Sequence, residues 1–383
     1  MATTMTQPLH REQFPILGTS TYLVSHSMGA APLGARAALD AYWNDWATDG
    51  PEAWERWLPR IGEIADGIGS IIGAQPGSVF LGPNVSVLQA AIATCIDFKG
   101  KRNEVVYEAL QFPSLTYVWA EWERYGAKTV VVPSSDGMTI PTERIIASIS
   151  EHTAIAVLSH AYYVSGAIAD IRSIQRHCRD VGALLCVDAY QTTGVVPYDV
   201  TEWDLDIVTG GSHKWLLGGP GCGWIYIKPT LFERFRPAVT GWMAHAKPFE
   251  FEEAPIRFSP SMYRWGTGTP TIPGYLVAAP GHDLIRSVGV KRIREHNVRL
   301  TTKLAEMALE RNLTVKTPLD PDQRTGWIGI GFDGAERACK ALIDQRVFLD
   351  YRPGCGIRVS PHFYTSDEEI ERFFTMLDRV RSG

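Results

Sequence analysis

Six short apolar runs, NEVVYE, KTVVVPSS, AIAVLSHA, ALLCVDAY, DIVTGG and CGWIYI, follow one another between residues 103 and 227, and most are separated by helix-length segments. This alternation constrains the fold more than any other feature. A strand that is re-entered after a helical crossover pairs in parallel with its predecessor, so the pattern predicts an α/β protein with a mostly parallel, doubly wound sheet between helices. Sheets of this kind bind ligands beyond the carboxyl ends of their strands. With 383 residues, 45% of them hydrophobic, the chain can bury one large core and a second, smaller one.

The flanks of the alternating region read differently. From Pro32 to about Ile72 the apolar residues Leu39, Tyr42, Trp43, Trp46, Trp54, Trp57, Leu58, Ile71 and Ile72 recur at helical spacing, which predicts two helices broken near Gly50 and Pro51. A long helical stretch is expected from about Gly281 to Arg311. Beyond it, WIGIGF, a helix from about Ala335 to Gln345, VFLDYR, GIRVSP and a last helix form a smaller α+β unit, with Ser366 and Glu369 spaced for a capping box. The expected division is a large domain over 46–275 and a small one from 1–45 and 276–383.

Charge and cysteine usage narrow the function. A net charge of −5 with both signs scattered offers no basic field for nucleic acid and no polybasic stretch for a lipid surface. Neutral or anionic small metabolites fit better. The six cysteines contain no C-x-x-C pair, which argues against structural zinc and disulfide staples, and no metal site is expected. MATTMTQPLHREQF has no apolar leader core and no stretch is apolar enough to span a bilayer, so a cytoplasmic location is expected.

The chemistry sits at predicted strand ends. ALLCVD ends in Asp188, and DIVTGGSHK brings Lys214 beyond the next strand. Taken singly, the first reads equally well as a turn aspartate and the second as a surface lysine. Together they supply one fixed anion and one amine, the pair that pyridoxal 5′-phosphate requires. The amine forms a Schiff base with the aldehyde, and the carboxylate keeps the pyridine nitrogen protonated. FLGPNVSVLQAAIATC offers a phosphate cup, because Val85 and Ser86 would open a helix after a Gly-Pro turn. Phe112, in QFPS, could stack on the pyridine ring or fill a core.

The order of that helix start, "FPS", "VDAYQTTG", "SHKW" and "GGPGCGWIY" resembles fold type I pyridoxal phosphate enzymes of the class V aminotransferase group, over about Thr21 to Phe374. The resemblance implies a seven-stranded sheet in the large domain, Lys214 as the Schiff-base lysine, and a homodimer that shares its sites. Within the group, "YLVSHSMGAAPLGARAALDAYWNDWATDG", "GWMAH" and "GIRVSPHFY" look most like kynureninase. They imply Ser27 near the substrate, Trp242 at the phosphate of the partner subunit, His245 beside the substrate, and Arg358 on the substrate carboxylate. A planar guanidinium suits a carboxylate bidentately. The implied reaction is hydrolytic Cβ–Cγ cleavage of a β-keto amino acid with release of alanine.

Four positions depart from kynureninases. His213 stands where they carry tyrosine, Leu115 where they carry aspartate after "FPS", and Gln191 where they carry histidine, placed to meet the cofactor's ring oxygen. "GTGTPTI" replaces their S-N-P-P segment and resembles a loop that other class V enzymes send to the phosphate, which makes Thr267 a candidate contact. His213 is a candidate for the phosphate as well. Cys355, beside Arg358 in a tight turn, is badly placed for the mobile nucleophile of a desulfurase. Aminotransferase activity stays open, as does epimerisation with Tyr190, His160 or His245 as a second acid/base, and so does a catalytically silent relative that only binds the cofactor.

Overall fold

Every one of the six apolar runs forms a strand, and all but the edge strand Lys128–Val132, whose Val131 stays exposed, offer β-branched and aliphatic side chains to two covered faces. A computed structural model describes residues 7–382; Met1–Thr6, the start of the segment read for a leader, lie outside the described residues. A seventh strand, Val79–Gly82, joins the sheet; its four residues are too short a run to stand out in the sequence. The spatial order is Val79–Gly82, Gly223–Ile227, Ile207–Gly211, Leu184–Asp188, Thr153–Ser159, Glu104–Glu108, Lys128–Val132. Gly223–Ile227 runs antiparallel to both neighbours and the remaining pairs are parallel.

Alternate residues of the central strands face two hydrophobic layers. Leu185, Val187 and Val208 pack with Ile64, Ile68 and Ile174 on one face. Leu184, Cys186 and Ile207 pack with Leu88, Ile92 and Ile155 on the other. Register aligns Ser159 with Asp188 and Asp188 with Thr209, so the polar ends of three strands share one edge. Lys214 follows three residues beyond Gly211, the last residue of its strand.

The C-terminal unit has its own core. Asp350–Arg352, Gly356–Val359, Ile328–Gly331 and Thr314–Val315 form an antiparallel sheet in that order. Leu304, Ile330, Ile357, Phe373 and Leu377 fill the space between this sheet and the helices Val290–Glu310 and Asp367–Ser382. Ser366 and Glu369 exchange the two hydrogen bonds of a capping box. Thr21–Tyr22 pairs in parallel with Val347–Phe348, and Val24 bridges Ser360, which ties residues 21–27 to this unit.

One expectation is corrected. The stretch Gly281–Arg311 is not one helix: Ile272–Val288 and Val290–Glu310 are separate, broken by Gly289 at φ 85°, a conformation that favours glycine. The first predicted helix, Leu33–Asp49, buries none of its residues, and Trp43 and Trp46 are 60% and 56% exposed. Tyr42 packs against the core and its ring meets that of Trp57, while Trp43 and Trp46 stay outside. Among the described residues no helix is long and apolar enough to cross a membrane, and no group of three His, Cys, Asp or Glu is placed to hold a metal ion.

Candidate active site

The strand Ile207–Gly211 delivers Ser212, His213 and Lys214 to the carboxyl edge of the sheet, and backbone packing fixes them there. Ser212 N–H donates to Cys222 O, Gly218 N–H donates to Ser212 O at 2.7 Å, and Gly29 N–H donates to His213 O at 2.8 Å. His282, on the helix Ile272–Val288, bonds Ser212 Oγ through Nε2 at 2.9 Å. A Cβ at Gly218 would stand 2.6 Å from the Ser212 side chain and 2.8 Å from that of Ala278, so the glycine is what lets the helix approach the loop.

Lys214 opens into a cavity of about 200 Å³. Seven of the predicted residues line it: Val85, Ser86, Phe112, Asp188, Gln191, His213 and Lys214. Lys214 Nζ lies 4.7 Å from the Tyr190 ring centroid and 5.6 Å from that of Phe112. Burial holds its pKa down to about 8, with Asp188 opposing that shift. Asp188 is nearly inaccessible; burial pushes its carboxyl up to about 6, while the Tyr190 N–H at 2.9 Å and Lys214 pull the other way. His213 is held down to about 4 by burial and then by the Lys214 charge.

The helix Val85–Ala93 begins at this cavity. Asn84 is its N-cap and accepts from Val87 N–H at 3.1 Å, which leaves the first-turn amides of Val85 and Ser86 free for an anion. Gln191 Nε2 donates to His26 O at 3.2 Å, and its Oε1 is buried with no partner. That orphaned acceptor fits the ring hydroxyl of pyridoxal phosphate, Asp188 fits its protonated nitrogen, and the free amides fit its phosphate. The donor set therefore fits the cofactor.

Arg358 comes from the C-terminal sheet. It is buried, with Nε donating to Asp350 Oδ1 at 2.8 Å, Nη2 to Asp350 Oδ2 at 2.5 Å and Nη1 to Tyr163 O at 2.7 Å. Tyr163 itself lines the cavity, so its carbonyl fastens the guanidinium to the cavity wall. Asp350 is also bonded by His26 Nε2 at 2.9 Å, and Ser360 Oγ lies 2.8 Å from the other ring nitrogen. Burial drives the His26 pKa down to about 4, so its ring is neutral and joins the cluster as a hydrogen-bonding group.

Other predicted residues stand elsewhere in the chain. Trp242 and Thr267 do not line the Lys214 cavity of their own chain; a Cβ at Gly241 would stand 2.1 Å from Thr267 O, so the two are held together on a separate surface. His245 does not line that cavity of its own chain either: it is buried in its own loop, with Nδ1 against Lys247 and Nε2 3.3 Å from Glu252. His160 is corrected as an acid/base, being buried against Tyr198 and Trp203 and bonded to Thr192 Oγ1 at 2.9 Å. Ser27 is half-buried beside His26 and lies outside the cavity lining. Cys355 is buried, and burial pushes its thiol up to about 12, a poor setting for a nucleophile.

Asn84, Ser114 and Tyr163 also line the cavity, with no motif or spacing in the sequence to single them out. Asp350 did leave a signal. In "DYRPGCGIR" a tight turn between two short strands puts Asp350 directly opposite Arg358, and the register confirms that pairing.

Comparisons with known proteins agree with this geometry. The family model described as aminotransferase class-V matches residues 61–373. An uncharacterized aminotransferase, YcbU, of Bacillus subtilis (strain 168) is 30% identical, over 94% of this chain and 94% of its own. A kynureninase of Geobacillus thermodenitrificans (strain NG80-2) is 28% identical over 97% of this chain and 90% of its own. Among solved structures, a cysteine desulfurase from Thermococcus onnurineus NA1 superposes with a TM-score of 0.86 at 19% identity, covering 100% of both chains. A cystine C–S lyase in complex with cysteine persulfide superposes at 0.86 with 19% identity, covering 96% of this chain and 99% of the other. These two likenesses show the fold.

Proposed function

The chain belongs to the class-V aminotransferase family, whose cofactor is pyridoxal 5′-phosphate, and from that premise we propose that it hydrolyses the Cβ–Cγ bond of a β-keto amino acid, as a kynureninase does. Water adds to the γ-carbonyl, the Cβ–Cγ bond breaks, and a carboxylic acid and alanine leave. One observation carries the reading. The same cavity that holds Lys214 and Asp188 is lined by Tyr163 and Ser114, whose hydroxyls make no hydrogen bond among the described residues and supply two donors for a keto oxygen in this reading.

When bound, the cofactor supplies a ring that accepts the electron pair released at the α-carbon. Lys214 removes the α-proton as general base; with a pKa near 8, a useful fraction of its amine is neutral near pH 7. Asp188 keeps a proton on the ring nitrogen. Gln191 meets the ring oxygen, Phe112 covers the ring, and the amides of Val85 and Ser86, with His213, hold the phosphate. Arg358 has five N–H donors and uses three within the chain. The two left over, one on each terminal nitrogen, form an end-on fork for the substrate α-carboxylate. Arg358→Lys is expected to raise KM roughly 10- to 100-fold with a smaller change in kcat, because charge-assisted bonds to the bound carboxylate are lost. Steady-state kinetics would show it; an unchanged KM removes Arg358 from that role.

Trp242 and Thr267 serve the second subunit in this reading, and the molecule is a homodimer. A continuous run of ring contacts links Trp43, Trp46, Tyr42, Trp57, Trp54, Trp242 and Phe251. Phe251 is 73% exposed at one end of it, and Trp43 and Trp46 are exposed at the other. A second copy is the occupant that covers a surface of this size and chemistry. Replacing Trp43 and Trp46 together by aspartate is expected to convert dimer to monomer in sedimentation equilibrium and to weaken cofactor retention with it. A wild-type monomer would end this assignment.

Incubation with kynurenine, 3-hydroxykynurenine and a panel of amino acids, followed by product identification, tests the function. Alanine with an anthranilate is the expected result. A keto acid with the pyridoxamine form of the cofactor would instead establish an aminotransferase, the reading that the similarity to YcbU favours. Inverted configuration with no other product would make it an epimerase, and a bound cofactor with no turnover of any compound a silent relative.

A further inference from the structure

Three parts of the site meet at Tyr190. Its backbone N–H donates to Asp188 Oδ1 at 2.9 Å, its ring lies 4.7 Å from Lys214 Nζ, and its hydroxyl is 3.1 Å from His213 Nδ1. The sheet makes room for it. A Cβ at Gly211 would stand 1.8 Å from the Tyr190 hydroxyl, so the phenol occupies volume that a glycine leaves open.

Donor counting sets the sense of the hydrogen bond. The Tyr190 hydroxyl has no other acceptor among the described residues, and burial raises its pKa above the ordinary value, so it keeps its proton. If His213 Nδ1 also carried a hydrogen, the phenol hydrogen would be left without an acceptor. A phenol that donates to Nδ1 satisfies both groups and leaves the imidazole hydrogen on Nε2. That nitrogen has no partner among the described residues, and His213 lines the cavity. A neutral N–H fixed from behind can meet an anion without adding a positive charge beside Lys214.

We propose that Tyr190 is a positioning residue that holds His213 as an Nε2–H donor to a phosphate oxygen of the cofactor. The proposal rests on the cofactor reading above. It is tested in three measurements on the full-length protein. Histidine ¹⁵N spectra of the cofactor-free protein, with His213 assigned by comparison with His213→Asn, are expected to show Nε2–H in the wild type and a tautomer mixture in Tyr190→Phe. Titration with pyridoxal phosphate is expected to give a Kd roughly tenfold weaker for Tyr190→Phe, the scale of one lost hydrogen bond. Pyridoxal, which lacks the phosphate, should bind wild type and variant alike.

The double variant Tyr190→Phe/His213→Asn is expected to bind pyridoxal phosphate no more weakly than His213→Asn alone, which a general structural role would not produce. Gly211→Ala, which crowds the phenol out, should reproduce Tyr190→Phe. An unchanged tautomer, additive losses, or equal weakening of pyridoxal binding would each overturn the proposal. A wild-type protein that never acquires lysine-linked cofactor absorbance would overturn the cofactor reading and the phosphate clause with it. The tautomer result, obtained without cofactor, would still stand.

Discussion

Lys214→Ala is expected to abolish the visible absorbance of the lysine-linked cofactor and to lower turnover by roughly 10³-fold, the scale of losing a positioned general base. The residue has no substitute nearby. His213 is neutral and held far below its ordinary pKa and Tyr190 keeps its proton, so no other group lining the cavity offers a neutral amine near pH 7. The fold should survive, because the loop is fixed by backbone bonds of Ser212 and Gly218 that the side chain does not make. Absorbance spectra and thermal melts of the variant check both halves. Retained lysine-linked absorbance in Lys214→Ala would defeat the assignment.

Asp188→Asn is expected to have the second largest effect, a fall in turnover of roughly 10²- to 10³-fold, since an amide cannot keep a proton on the ring nitrogen as a buried carboxylate does. It carries a stability signature of opposite sign. The Asp188 carboxyl titrates near 6 in the folded protein against an ordinary value of 3.8, because burial penalises the charged form. As pH rises from about 4 to about 6 the unfolded chain releases this proton first, so the cofactor-free fold loses stability over that window and does not regain it above. A shift of that size corresponds to about 3 kcal/mol. Cofactor-free Asp188→Asn should therefore melt at a higher temperature than wild type at pH 7, with the difference vanishing near pH 4. A difference that does not change between those two pH values would show that burial of the charge is not its cause.

Much of the fold was legible because its sheet is covered on both faces. ALLCVD is apolar at every position before its aspartate, and in DIVTGG the pair Ile207–Val208 leads into small residues, so both runs can be read without knowing their partners. Val79–Gly82 was hidden because four residues next to a Gly-Pro turn give no run to recognise. The break at Gly289 was hidden because the hydrophobic spacing on either side stays helical while one glycine turns the backbone.

The candidate site divides along the same line. Asp188 and Lys214 could be found because strand ends in such a sheet are predictable positions, and the helix start at Val85 because its turn precedes it directly. His160 was misjudged because a histidine looks the same in sequence whether it faces a cavity or Thr192. The aromatic spacing of Leu33–Asp49 predicted a helix correctly, but spacing cannot tell a side that faces the chain's own core from one that a second copy would cover.

The sequence by itself determined the alternation of strands and helices and the lysine–aspartate pair, because both depend on residue type and on distance along the chain. Tertiary structure decided which groups meet across long separations. It set His26 and Tyr163 around the Asp350–Arg358 pair, and it set the Tyr190 phenol over Gly211 against His213. Those contacts depend on how separate elements pack, and hydrogen-bond direction and burial, which tune each group's proton, exist only once they have packed.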